Sequence, residues 1–163
     1  MIKVVVHCSD SGFGNAALIS KWHTQQKPQG RGWSAIGYHY VILNGLVEDE
    51  NRYHSHMDGF LEVGRPEEIM GAHCCGSNQD SIGVCLIGNT IFSAKQMFRF
   101  KFLKEELEKK YGNLEIFGHK ELIRPGDPPK SCPNMDMSRV REFLNEKTLN
   151  QKEFFRKTRT DQT

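Results

Sequence analysis

No stretch of the 163-residue chain approaches the run of about 18 apolar residues that a membrane-spanning helix requires. The start, Met1-Ile2-Lys3, enters a valine-rich run at once, without the basic opening, apolar segment and small-residue cleavage site of a secretory leader. A cytoplasmic protein is therefore expected, one that reaches any extracellular target only by release or through another protein. The chain has only five cysteines, an odd number with Cys74 and Cys75 adjacent, which does not read as a disulfide framework. A surplus of charge is missing too: the net value is +2, and no basic stripe interleaved with aromatics precedes residue 147, which argues against a nucleic-acid partner.

What is present suits one folded domain. With 37% hydrophobic and 26% charged residues, the chain can bury a sizeable core and still keep an ordinary soluble surface. Residues 2–8 are rich in valine and read as a buried strand, with Val5 and His7 on one face and Val4, Val6 and Cys8 on the other. Asn15 can cap a helix running to about Gln26, on which Trp22 is expected to pack. Residues 38–43 form a second strand, and Asn44-Gly45 predicts a hairpin turn into Leu46, Val47 and Glu48. The polar, glycine-bearing stretch 51–80 reads as a long loop forming one wall of a groove.

Ser81–Gly88 is apolar enough for a central strand. Ser93 and Gln96 make a capping box for a helix from Ala94 to Tyr111. On that helix Met97, Phe100, Leu103, Leu107 and Tyr111 form an apolar stripe, which Phe98 and Phe102 are expected to widen. Residues 114–117 are the last strand, and Asp136 or Ser138 caps a short final helix to about Asn145. Strands interspersed with helices predict an α/β fold, a single domain with a central mixed β-sheet flanked by helices. The tail, 147–163, carries Lys147, Lys152, Arg156, Lys157 and Arg159 against Glu153 and Asp161. It reads either as a basic helix touching an anionic wall or membrane surface or as a frayed end.

Two apolar runs stop at histidines: Val4-Val5-Val6 at His7, and Ile116-Phe117-Gly118 at His119. A proline-bearing loop after His119 delivers Lys130 and Cys132. Two imidazoles and a thiolate suit Zn²⁺, whose catalytic sites have three protein ligands and keep the fourth position open. The residues alone leave the alternative standing. A strand-end histidine also serves as a hydrogen-bonded structural group, and a lone cysteine as a small buried hydrophobe. The separation of His119 and Cys132 fits none of the short ligand spacings of structural zinc modules.

An ordered set of motifs carries more. His7-Cys8-Ser9, Trp22-His23, Gly32-Trp33, Ile36-Gly37-Tyr38-His39-Tyr40, Gly71-Ala72-His73, Ser81-Ile82-Gly83-Val84-Cys85-Leu86-Ile87-Gly88, Gly118-His119 and Lys130-Ser131-Cys132-Pro133 follow one another over residues 1–144. The set resembles the type 2 N-acetylmuramoyl-L-alanine amidases, most closely phage lysozymes of the amidase type, which share the peptidoglycan recognition protein fold. The resemblance implies a zinc amidase domain over residues 1–146, with His7, His119 and Cys132 holding zinc in a surface groove. It implies that Tyr38 and Lys130 act beside the metal on the amide joining N-acetylmuramic acid to L-alanine in bacterial peptidoglycan. His73 matches a groove-lining segment of the family and, with Asn78 and Trp33, is a candidate substrate contact.

The residue chemistry agrees with these roles. Lys130 is a point charge two positions from a ligand, placed to stabilise an oxyanion. A phenol titrating near 10 is a poor base at neutral pH, so Tyr38 either orients water or has its pKa lowered beside the metal. His39, on the opposite face of its strand from Tyr38, reads as a buried hydrogen-bonding residue. Cys85 stands where recycling amidases of this fold carry a glutamate, which favours the tyrosine and lysine arrangement of the phage enzymes. The loop from Arg124 to Pro129 is longer than in the shortest phage members, so a different rim is expected beside Lys130. The rival readings are a non-catalytic peptidoglycan-binding module, a wall-recycling or toxin amidase, and a structural zinc site closed by His73 or Cys74.

Overall fold

The computed structural model describes residues 1–146; the basic tail, 147–163, and the surface contact expected of it lie outside the described residues. Five strands, β1 (Ile2–Cys8), β2 (Tyr40–Leu46), β3 (Tyr53–Val63), β4 (Ser81–Leu86) and β5 (Leu114–Gly118), form one sheet in the order β3-β2-β4-β1-β5. The β1/β4, β1/β5 and β2/β4 pairs are parallel and β2/β3 is antiparallel, so the sheet is mixed. Helices α1 (Ala16–Thr24), α2 (Ala94–Tyr111) and α3 (Met137–Asn145) cover its two faces. No helix among the described residues is long and apolar enough to cross a membrane.

Strand alternation divides the core. Val4, Val6, Ile42, Val84 and Leu86 face α2 and α3, meeting Phe100, Leu103, Leu107, Val140 and Leu144. Val41, Leu43, Cys85 and Ile87 face the other way, toward Ile19 of α1. The Asn15 side chain accepts from Leu18 N at 2.8 Å and starts α1. Ser93 and Gln96 form the expected capping box on α2. The Gln96 amide also reaches the sheet, donating to Ile42 O at 3.0 Å and Ile87 O at 2.8 Å. That fully buried amide welds the start of α2 to β2 and to the residue that follows β4.

Three expectations are corrected. Residues 53–63, assigned to a loop, are the edge strand β3. This strand pairs on one side only and has a single buried position, Gly59, so His54, His56 and Asp58 can occupy it without the hydrophobic alternation of a core strand. Asn44-Gly45 is not a hairpin turn but an irregularity inside β2: Gly45 takes φ +88°, and Asn44 accepts from Leu46 N at 3.0 Å while donating to Gly12 O at 2.7 Å. The chain reverses later, where the Asp49 carboxylate accepts from Asn51 N at 2.7 Å and Arg52 N at 3.1 Å, an Asx turn. Phe98 and Phe102 do not widen the buried stripe. They are 50% and 48% exposed, flanking the fully buried Phe100.

Candidate metal centre and its groove

The parallel strands β1 and β5 end side by side, and each delivers a histidine at its carboxyl end, where open α/β sheets place their ligands. His7 points to the α1 face of the sheet and is 1% exposed. His119 opens a short 3-10 turn, His119–Leu122. That turn is pinned by Glu121, whose carboxylate accepts from Gly118 N at 2.7 Å and from Arg141 of α3 at 2.9 and 3.0 Å. Lys120 N donates to Cys132 O at 2.8 Å, which lays the Cys132 segment alongside.

These constraints bring the rings of His7 and His119 to 4.6 Å between centroids. Cys132 Sγ lies 3.8 Å from His7 Nδ1, and one ligand atom from each of the three residues falls within 4.8 Å of the others. Zinc bond lengths of about 2.0–2.3 Å set ligand separations of about 3.3–3.6 Å in a tetrahedral site, so small side-chain rotations close this set around an ion. The donor set, two imidazole nitrogens and a thiol, is one that zinc takes. No fourth side chain joins the cluster among the described residues, which leaves the structural-zinc alternative without its closing ligand.

Electrostatics keep the imidazoles ready as ligands. Burial, with the neighbouring His73 and His119, holds His7 well below the usual histidine range. Burial and the Lys130 ammonium lower His119 to about 4. Both rings are thus neutral at pH 7. The Cys8 thiol contacts that of Cys132 and is drawn down to about 7 by this hydrogen bond. Cys132 is pushed up by the same contact and by burial. Cys8 N–H also points at Cys132 Sγ, at 3.4 Å, a donor that favours negative charge on that sulfur.

Around the cluster lies a groove of about 790 Å³ whose lining includes Trp22, Arg31, Trp33, Tyr38, Asn78 and Lys130. The Tyr38 ring is 5.0 Å from that of His7, and burial raises its pKa well above the ordinary value, so Tyr38 presents a phenolic O–H. Lys130 stands at the rim with Nζ 3.4 Å from His119 Nε2. Trp33 packs against His23 at 4.7 Å and carries the Arg31 guanidinium 5.0 Å above its ring. Trp22, on α1, packs against the core of that face and also lines the groove.

His73 and Asn78 border the groove but have inward partners. His73 Nδ1 meets His7 Nε2 at 3.1 Å. The Asn78 Oδ1 accepts from His73 N at 2.9 Å and Cys74 N at 2.8 Å, holding that loop in shape. His39 is buried and hydrogen-bonded, as its strand position implied: Nδ1 accepts from Gly83 N at 2.9 Å and Nε2 meets Ile69 O at 3.0 Å. Cys85 is fully buried on the α1 face. Sequence reasoning assigned no task to His23, yet its Nδ1 accepts from Gly37 N at 3.0 Å and its ring lies 5.4 Å from that of Tyr38. It braces the turn that presents the tyrosine. A histidine inside α1 directly after Trp22 was the available signal.

Comparison with known proteins agrees with this geometry. Residues 2–135 match the N-acetylmuramoyl-L-alanine amidase family. The endolysin of Escherichia phage T7 is 32% identical over 147 residues, covering 83% of this chain and 82% of that protein. The endolysin of Klebsiella phage KP32 is 30% identical over 151 residues, covering 84% and 83%. Among solved structures, the N-acetylmuramoyl-L-alanine amidase LysC from Clostridium intestinale URNW superposes with a TM-score of 0.69 at 26% identity, covering 88% of this chain and 84% of that one. A profile that spans both strand-end histidines and the cysteine, together with relatives matched over most of their own length, decides the matter: the chain belongs to the N-acetylmuramoyl-L-alanine amidase family, as a type 2 amidase related to phage endolysins.

Proposed function

We propose that this protein is a zinc-dependent endolysin that hydrolyses the amide bond between the lactyl group of N-acetylmuramic acid and the L-alanine of the stem peptide. The observation that carries the zinc dependence is the convergence of His7, His119 and Cys132 within 4.8 Å beside Tyr38 and Lys130. When bound, zinc supplies an acidified water and a Lewis acid for the carbonyl at one position. The groove holds the glycan and stem across that position, with Trp33 and Asn78 on its walls.

The remaining work falls to the chain. Tyr38, a protonated phenol, donates a hydrogen bond toward the carbonyl oxygen and fixes the direction of attack. Lys130 places a positive charge where that oxygen gains negative charge as water adds to the carbonyl carbon. As the C–N bond breaks, the leaving nitrogen takes the proton given up by the attacking water and departs as the free amino group of L-alanine. The protein acts on peptidoglycan after release from the cell in which it is made, as suits a lysis enzyme.

The test is digestion of purified peptidoglycan before chelation, after chelation and after zinc replacement, with mass spectrometry of the soluble products. Stem peptides beginning with L-alanine, lost on chelation and restored by zinc, are expected. Their release undiminished by thorough metal removal excludes the zinc role. Binding of the wall without release of peptides supports a non-catalytic module instead.

A further inference from the structure

His73 is buried behind the metal cluster in a cage built around its ring. A Cβ on Gly83, in the middle of β4, would come within 2.5 Å of His73 Cδ2, and one on Gly71 within 2.4 Å of the same atom. Glycine inside a buried strand lacks the packing and stiffness of its neighbours and marks a close approach. The His39 ring closes the cage edge-on at 5.7 Å between centroids, and its own orientation is set by Gly83 N and Ile69 O. Asn78 fixes the backbone at His73 from the loop side. Space has been cleared and braced for one imidazole.

The hydrogen bonds on that ring run in a single direction. The Ser81 hydroxyl donates to Ser77 O. Ser81 Oγ, 3.4 Å away, and the Ser81 backbone carbonyl then accept from His73 Nε2–H. His73 Nδ1 is left bare and accepts from His7 Nε2–H at 3.1 Å. His7 Nδ1 is in turn left bare, facing Cys132 Sγ at 3.8 Å. Each step follows from the one before because a neutral imidazole has one donor and one acceptor nitrogen.

We propose that His73 is the positioning residue of the metal centre: it locks His7 in the Nε2–H tautomer and holds its Nδ1 lone pair on the ion. The proposal rests on the reading of His7, His119 and Cys132 as zinc ligands. It gives His73 a task distinct from substrate contact. Outer partners of metal-bound histidines fix ring tautomer and orientation, and their loss typically lowers metal affinity about 10–100-fold.

The experiment compares the full chain with His73→Leu, which cannot accept a hydrogen bond, and His73→Asn, whose Oδ1 stands near the position of Nδ1. Zinc affinity is read by competition with a chromophoric chelator. The protonated ring nitrogens of the metal-free proteins are read from long-range proton–nitrogen NMR spectra. His73→Leu is expected to lose about 10–100-fold in zinc affinity and to show two His7 tautomers, with His73→Asn recovering most of both. Wild-type affinity in the leucine variant overturns the proposal. Should that variant not fold, the wild-type spectra decide: both His73 and His7 are expected to carry their proton on Nε2, and a His73 protonated on Nδ1 overturns the proposal. Failure of the wild type to bind zinc overturns the ligand reading. A wild-type His7 protonated on Nδ1 overturns the role of His73 whether or not zinc binds.

Discussion

Replacing Lys130 by methionine removes one charge from the rim of the site while keeping most of the stem. Its Nζ lies 3.4 Å from His119 Nε2, so the ammonium sits in the immediate surroundings of the ligand cluster. An oxyanion about 4 Å from that charge gains about 1 kcal/mol at the dielectric constant of water and about 4 kcal/mol at an effective value near 20. Lys130 is exposed in the free protein, which pulls the figure toward water, and bound substrate covers the groove, which pulls it back. Loss of one oxyanion donor in other hydrolases costs about 10²–10³ in kcat, and the exposure of Lys130 selects the lower end. The expected result for Lys130→Met is therefore a drop of about 10² in the rate of stem-peptide release from purified peptidoglycan, with zinc content unchanged. Retention of zinc follows because burial, ahead of the lysine, lowers His119, which stays neutral without Lys130. Lys130→Arg keeps the charge in a planar fork and is expected to recover part of the rate. A rate within about threefold of wild type would remove Lys130 from the chemistry, and loss of zinc would make its role structural.

Helix α2 offers a paired test of burial. Phe100→Ala is expected to destabilise by about 3–5 kcal/mol and Phe102→Ala by no more than about 0.5 kcal/mol in urea unfolding; equal effects contradict the orientation of the helix. Gln96→Leu leaves the carbonyls of Ile42 and Ile87 without this donor and removes the capping box, so a loss of about 1–3 kcal/mol per stranded group is expected, with kcat unchanged in the folded fraction. The metal-free protein should weaken on acidification. Burial lowers His23 and His119 to about 4 and His73 to about 3, so between pH 6.5 and 4 the unfolded chain binds more protons than the native one. Stability is full above pH 6.5 and falls by up to about 1.4 kcal/mol per pH unit for each such histidine as pH drops toward 4; a flat urea midpoint between pH 7.5 and 5 refutes these shifts.

The parts of the molecule that were legible beforehand are those whose signal is local. A valine run reports β1, an asparagine or a Ser-x-x-Gln reports a helix start, and both caps occur where expected. His7 and His119 could be singled out because each ends an apolar run, and parallel pairing of those runs is enough to bring the rings together. Phe98 and Phe102 misled because hydrophobicity alone does not give direction: a helix against a sheet needs only one apolar face, and Phe100 with Leu103 and Leu107 already fills it. Strand β3 was missed because its one buried position is a glycine and its other side chains are half-buried or exposed without strict alternation, which erases the pattern that betrays a core strand.

The support of the metal site belongs to a third kind of feature, one written in what is absent. His73 carries no mark of its task, since a glycine-flanked loop histidine looks the same whether it meets substrate or backs a ligand. The mark lies elsewhere, in Ser81-Ile82-Gly83-Val84, where a strand buried on both faces gives up a side chain. A missing Cβ in such a strand costs packing and chain stiffness, and something must occupy the space it vacates. Here the occupant is an imidazole whose Nδ1 meets His7 at 3.1 Å. Gly83 therefore points to the positioning of His7 more directly than His73 itself does, and Gly83→Ala should disturb the metal site by displacing the His73 ring. An alanine at 83 that leaves zinc affinity intact would mean that the ring has room to spare and the cage is not tight.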